Sequence, residues 1–224
     1  MDLDELIGRL RLLQVSSVCD ADKTLPVCDP AIRPILPECT LVGPAFTVLA
    51  ADNDLLGMVA ALDRAPAGAV LVVAAAGRPL AMSGELFGGE AKRRGLAGIV
   101  VDGWCRDLRG LRQLGLPVFA RGAVPASGTI AGPPVVDVAV ICGGVRVESG
   151  DVVFGDDDGL VIAPAARLAA AVDRGEEIER TEAAVVAAIE SGISFFELTN
   201  AAEHLRAAAA GEPSTFRFLP TSQS

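Results

Sequence analysis

A chain of 224 residues, 51 % of them hydrophobic, can bury a sizeable core and suits one domain with a helical tail. A net charge of −10, with basic residues scattered, argues against a nucleic-acid partner, whose phosphates it would repel. A single histidine (His204), two lysines and no tyrosine exclude a His-rich metal site and disfavour a Ser-His-Asp triad.

The N-terminus, Met-Asp-Leu-Asp-Glu, has the wrong charge for a signal or transit peptide. Leu3, Leu6, Ile7, Leu10 and Leu13 then recur at helical spacing, which predicts an amphipathic helix over 2–14. Residues 16–21 open a second short helical turn, and 26–37 are Pro-rich and irregular. A strand is predicted over 40–51, with Gly43-Pro44 marking a bulge or bend. Residues 53–65 read as a helix closed by Pro66 and Gly68. The apolar run 69–76 reads as a strand covered on both faces and is too short to cross a bilayer.

Ser83 or Gly84 starts the next helix, which ends at Gly95 as its left-handed terminator. A strand over 98–102, a short helix over 107–114 and a strand over 117–120 follow. This alternation implies a partly parallel sheet. Further strands are predicted over 135–142, 144–147, 151–154 and 160–163, separated by Gly-rich and acidic turns. From Pro164 onward the chain reads as helical, over 165–191 and 195–210. One domain over 1–212 with a loosely held tail over 213–224 is therefore expected.

Five cysteines without a CxxC pair argue against a zinc ribbon and for a reducing cytoplasm. Cys105 has no partner histidine and is expected to pack rather than react. Lys92, next to Arg93 and Arg94, and Lys23, in a polar stretch, lack the setting of a Schiff-base amine. Asp156-Asp157-Asp158-Gly159 has no downstream acid at EF-hand spacing and is expected to be a hairpin turn.

Two segments carry chemistry. Gly84-Glu85-Leu86-Phe87 opens a helix, whose unpaired amides and positive dipole end can hold a carboxylate. Its local alternative is an ordinary loop capped by Ser83. Arg106-Asp107 follows a buried-looking strand, where ligands of open α/β sheets bind. Arginine offers a planar fork for a carboxylate or enolate oxygen, and aspartate is a hard ligand for Mg²⁺ or Mn²⁺. Its local alternative is a surface ion pair with a helix cap.

Taken together, the segments resemble one family: the class II 4-hydroxy-4-methyl-2-oxoglutarate / 4-carboxy-4-hydroxy-2-oxoadipate aldolases and the regulator of ribonuclease activity A. The resemblance runs through Val18-Cys19-Asp20-Ala21, Ile32-Arg33-Pro34, Val42-Gly43-Pro44-Ala45-Phe46-Thr47, Gly84-Glu85-Leu86 and Arg94-Gly95-Leu96-Ala97-Gly98. It continues in Asp102-Gly103-Trp104-Cys105-Arg106-Asp107, Pro117-Val118-Phe119-Ala120-Arg121-Gly122, Gly143-Gly144-Val145 and the segment from Gly150 to Asp156. It implies an α/β fold of the β/β/α swivelling type with an N-terminal helix and a C-terminal helical extension. It also implies homotrimers or hexamers with clefts between subunits, no membrane partner, and a small 2-oxo acid as substrate.

By resemblance, Asp107 would hold a divalent metal (Mg²⁺, Mn²⁺ or another) and Arg106 would contact the substrate's keto oxygen. The amides of Gly84, Leu86 and Phe87 would bind the pyruvate carboxylate, and Glu85, an aspartate in the best-known aldolases, would hold a water near the metal. Glu182 is the match for an acid lent by the adjacent subunit. The implied activity is cleavage of a 4-hydroxy-2-oxo acid to pyruvate, with oxaloacetate decarboxylation as a companion. The rival is a non-catalytic regulator that binds a ribonuclease. A methyltransferase label also occurs in the family, but no Gly-rich nucleoside loop follows the first strand.

Overall fold

A computed structural model describes residues 1–75 and 78–219. Asp2 caps the first helix, α1 (Leu3–Leu10), by accepting from Glu5 N at 2.8 Å. The helix predicted to reach residue 14 ends earlier. Val15 N is drawn to Asp156 Oδ2 at 2.8 Å, and a separate α2 (Val15–Ala21) starts there. The strands are β1 (Arg33–Pro34), β2 (Leu41–Leu49), β3 (Val70–Ala74), β4 (Ala81–Ser83), β5 (Gly98–Cys105) and β6 (Val118–Ala123), then β7 (Val135–Val136), β8 (Val140–Cys142), β9 (Val145–Val147), β10 (Val152–Asp156) and β11 (Gly159–Ala163). Helices α3 (Leu56–Arg64), α4 (Glu85–Arg93) and α5 (Leu108–Leu114) lie between them, and α6 (Ala165–Glu190) and α7 (Ala201–Ala210) follow.

The main sheet runs β1-β6-β5-β3-β2-β10-β11, with β4 added to β5 and β7 to β2. Its centre is parallel: β2 with β3, β3 with β5 and β5 with β6. All of β3 is buried, as an apolar run covered on both faces requires. One face packs on α3, α4 and α5 around Met58, Met82, Ala91 and Leu111. The other packs on the β8–β9 hairpin around Phe119, Cys142 and Val147. Beyond it, α1, α2 and the start of α6 close over β10 and β11 through Leu6, Leu10, Phe154 and Leu168.

Gly43-Pro44 makes no bulge. β2 changes partner there, pairing antiparallel with β10 from Leu41 to Pro44 and parallel with β3 from Ala45 to Leu49. Gly43 is needed because a Cβ would come within 2.4 Å of Gly68 O. The strand predicted over 135–142 is two strands, split at Asp137, whose φ is +58°. The helix predicted from residue 53 starts at Leu56, because Asn53 is left-handed at φ +58° and Asp54 Oδ1 caps Leu56 N at 2.8 Å. The acidic turn joins β10 to β11 as expected, with Gly159 at φ +144°.

The chain divides into two compact units, Met1–Gly175 and Glu176–Ser224. Within the second, α7 is shorter than the predicted helix over 195–210. Thr199 bridges Phe218 instead, and Asn200 accepts from Arg217 N at 2.8 Å and donates to Thr215 O at 3.0 Å. Ala76 of the predicted strand over 69–76 and residues 220–224 of the predicted tail lie outside the described residues. Among the described residues no helix is long and apolar enough to cross a membrane.

Candidate active site

The two segments singled out in the sequence meet because two short parallel strands end side by side. β4 pairs with the last residues of β5, Ala81 opposite Trp104 and Ser83 opposite Cys105. Arg106 N then donates to Ser83 O at 2.9 Å. Both chains leave the sheet at their carboxyl ends, where open α/β sheets bind ligands.

Gly84 is the N-cap of α4 and makes no side-chain cap. Its backbone is extended (φ −172°), so the need for glycine is one of space. A Cβ there would stand 2.7 Å from Asp107 Oδ2 and 3.1 Å from Arg106 Cγ. The first amides of α4, at Glu85, Leu86 and Phe87, have no carbonyl one turn back to bond. Glu85 N points to Asp107 Oδ2 at 3.4 Å, too long for a strong bond. The amides of Leu86 and Phe87 are placed to meet an anion, and that of Glu85 only by giving up its long bond to Asp107.

Asp107 is left-handed (φ 57°, ψ 41°) and stands at the N-cap of α5 without using its side chain as a cap. Among the described residues its carboxylate meets Glu85 N at 3.4 Å and Arg106 Nε at 3.5 Å, both long and both on Oδ2. The Asp107 carboxylate is thus only weakly engaged by this chain's own groups among the described residues. Arg106 and Asp107 are about equally exposed, at 40 % and 42 % of their side chains. The Glu85 side chain lies against Gly110 in the first turn of α5, where a Cβ would fall 2.3 Å from Glu85 Oε2 and the flexible carboxylate would have to swing aside.

These residues border a cavity of about 230 Å³ lined by Leu55, Met82, Ser83, Phe87 and Ile130 besides Gly84, Leu86, Arg106 and Asp107. A second hollow of about 300 Å³ touches Arg106 and Asp107 from the side of Ala123, Val124 and Pro125. Glu182 lies on α6 in the second unit and is exposed. The cavity of the first unit thus brings together Gly84, Leu86, Phe87, Arg106 and Asp107, whereas the Glu85 side chain lies against Gly110 of α5 and is not among the residues lining it.

Sequence reasoning missed Asp54. Its carboxylate accepts from Ala131 N at 2.7 Å and Gly132 N at 2.8 Å, so it anchors the loop that brings Ser127, Gly128 and Ile130 to the cavity. Backbone N–H groups of Gly132, Ala131 and Leu56 hold its carboxyl below the ordinary carboxylate range. The signal was the Asp52-Asn53-Asp54 run before a helix, a pattern of side chains that bond nearby backbone. Also missed was Arg121, which ties Asp102 at 2.6 Å to Asp29 at 2.7 Å and braces β5 against the N-terminal segment.

Other candidates fall away. Cys105 is buried, its Sγ donates to Gly122 O at 3.4 Å, and burial pushes its thiol up to about 11. Lys92 Nζ is tied to Leu114 O, and His204 Nδ1 meets Ser214 Oγ in the second unit. Ser83 Oγ is buried without a hydrogen-bond partner.

A family model described as RraA-like, Aldolase/RraA, matches residues 15–162, which include every site residue of the first unit. The chain belongs to this family. A Halalkalibacterium halodurans member, provisionally named as a 4-hydroxy-4-methyl-2-oxoglutarate aldolase, is 35 % identical over 161 residues, covering 71 % of this chain and 77 % of that one. An uncharacterized protein from Pseudomonas syringae pv. tomato has a similar solved structure, at TM-score 0.76 and 26 % identity over 87 % of this chain and 96 % of that one. The Streptomyces coelicolor protein RraAS2, described as an unusual member of the RNase ES inhibitor RraA family, superposes at TM-score 0.70 with 30 % identity, covering 81 % of this chain and 95 % of that one. The Aldolase/RraA fold is thus the β/β/α swivelling type implied by the sequence resemblance.

Glycine at position 84 yields a direct test of the site's tightness. Gly84→Ala is expected to fold normally, because alanine accepts the extended backbone and both crowded side chains are half exposed. Its Cβ would push Arg106 and Asp107 out of place, and displacements of about 1 Å typically cost ~10² in kcat/KM. Steady-state kinetics beside a thermal melt checks this.

Proposed function

We propose that this protein is a class II aldolase that cleaves a 4-hydroxy-2-oxo acid to pyruvate and a second oxo compound, and that it also decarboxylates oxaloacetate. The observation that carries this reading is the convergence of the open α4 amides, Arg106 and Asp107 on one cavity. The amides of Leu86 and Phe87, with the space left by Gly84, bind the substrate carboxylate. Arg106 donates to the keto oxygen and stabilises the negative charge that grows there as the C–C bond breaks. Glu85, and Glu182 of the partner subunit, hold water and move protons at the mouth of the site.

The donor chemistry fits a hard divalent cation, Mg²⁺ or Mn²⁺, at Asp107: a half-exposed carboxylate whose polar contacts among the described residues are long and sit on one oxygen. When bound, such a cation would polarise the 2-oxo group as a Lewis acid. Among the described residues no three His, Cys, Asp or Glu side chains of this chain gather around one point, so besides Asp107 a bound cation would need waters, substrate or a neighbouring subunit as ligands. The working form is a cytoplasmic homotrimer or hexamer.

The test is pyruvate release from oxaloacetate and from 4-hydroxy-4-methyl-2-oxoglutarate, with Mg²⁺ and after exhaustive chelation. Release that stops on chelation and returns with Mg²⁺ is expected, and release that survives chelation would sink the cation's role. The 30 % identity to RraAS2 favours a second reading, a regulator that binds a ribonuclease. Capture of a ribonuclease together with no turnover of any 2-oxo acid would establish that reading instead.

A further inference from the structure

Ile130 borders the cavity beside Arg106 and Asp107 yet is 62 % exposed, so packing within its own chain does little to place it. It lies in the loop from Val124 to Pro134, between β6 and β7, every residue of which is exposed or only partly covered. Backbone bonds hold the first half of that loop: Ala81 N donates to Ala126 O at 2.8 Å, Gly128 N to Ala81 O at 3.2 Å and Leu55 N to Thr129 O at 2.8 Å. From there a side chain takes over. Oδ2 of Asp54 accepts from Thr129 Oγ1 at 3.3 Å, Ala131 N at 2.7 Å and Gly132 N at 2.8 Å, so it grips the chain on both sides of Ile130. Its other oxygen accepts from Leu56 N at 2.8 Å and fixes the start of α3, next to Leu55 on the same cavity. Bonds to an ionised carboxylate are about twice as strong as those between neutral groups, so one side chain sets two stretches of wall. All of these bonds lie within one chain and are made whatever a neighbouring subunit adds to the cleft.

We propose that Asp54 is a positioning residue of the active site: it holds Ile130 against bound substrate and so sets how tightly the substrate is bound, while taking no part in bond breaking. The proposal rests on the aldolase reading above. Neither close analogue of aspartate can do the same work. Asparagine has one acceptor oxygen, and its NH₂ would face N–H donors either at Leu56 or at the loop. Serine can repeat the bond to the amide two residues on, at Leu56, but its single oxygen cannot also hold Ala131 and Gly132. Asp54→Ser therefore keeps the start of α3 and releases the loop.

Hydrogen–deuterium exchange of the unliganded protein reads the grip directly: the amides of Ala131 and Gly132 should exchange at least about ten-fold faster in Asp54→Ser, with those of α3 unchanged. In steady-state kinetics with oxaloacetate and Mg²⁺, KM should rise about ten-fold and kcat stay within about two-fold, the pattern of lost uniform binding. Asp54→Asn, which keeps the shape of aspartate, should show the same split between KM and kcat and stands in if the serine variant fails to fold. Ile130→Ala should raise KM as well, and adding Asp54→Ser to it should raise KM no more than about two-fold further, because the two residues act as one. Unchanged amide exchange would overturn the proposal, as would an unchanged KM or a full ten-fold rise on top of Ile130→Ala, and each would leave the aldolase reading standing. Wild-type protein that neither releases pyruvate from oxaloacetate nor exchanges the methyl protons of pyruvate in D₂O would overturn the aldolase reading and this proposal with it.

Discussion

Arg106→Ala is expected to lower kcat by ~10²–10³ while the protein stays folded. The guanidinium is 40 % exposed, its ion pair with Asp107 is 3.5 Å long, and its backbone bond to Ser83 O does not depend on the side chain. Little stability is at stake, since exposed ion pairs of this kind contribute only about 0–1 kcal/mol. On the proposed reading the loss should fall mainly on kcat, because the fork would meet a charge that is fully developed only as the C–C bond breaks. Arg106→Lys keeps the charge but loses the planar two-pronged donor, so it should recover only part of the rate. Steady-state kinetics with either a 4-hydroxy-2-oxo acid or oxaloacetate makes the measurement. Both substrates should lose rate by similar factors, because both reactions pass through the same enolate. Wild-type turnover in Arg106→Ala would remove arginine from the chemistry.

What made this site legible was that its key residues lie in two local motifs, each with a local physical reason. Gly84 and Gly95 bound α4 as glycines do, one where a side chain would collide and the other at φ +73° past the helix end. Arg106-Asp107 could be placed at the end of a strand because Ile99 to Val101 form an unbroken apolar run. The parts that escaped depend on contacts distant in sequence. β4 has three residues, too few for any periodicity, yet it is the strand that sets Gly84 beside Asp107. The cavity wall around Ile130 is held by Asp54, 77 residues before the amide of Ala131 that it binds. The split between β7 and β8 follows from Thr47, which accepts from Asp137 N through its carbonyl and donates its hydroxyl to Val138 O at 2.6 Å. No pattern within 135–142 announces that partner.

Asp107 yields the prediction that separates chemistry from folding. Its left-handed backbone costs about 1 kcal/mol in a non-glycine residue, and its side chain does not repay that by capping α5. Asp107→Gly should therefore relieve strain and raise the melting temperature by about 2–4 °C. Asp107→Asn tolerates the same backbone and keeps nearly the same shape while losing the charge. Both variants should lose the response to added Mg²⁺, with kcat/KM falling by at least about 10². A thermal melt and a Mg²⁺ titration of pyruvate release read the two effects separately. Stability that rises while activity disappears is the mark of a residue retained at a strained position for its chemistry. Were Asp107→Gly instead to melt earlier, the carboxylate would be a brace between α4 and α5, and the cation would have to be sought at Glu85 or on the partner subunit. Asparagine sharpens the choice further: a brace made of hydrogen bonds to Glu85 N and Arg106 Nε would survive the amide substitution in part, whereas binding of a hard cation would not.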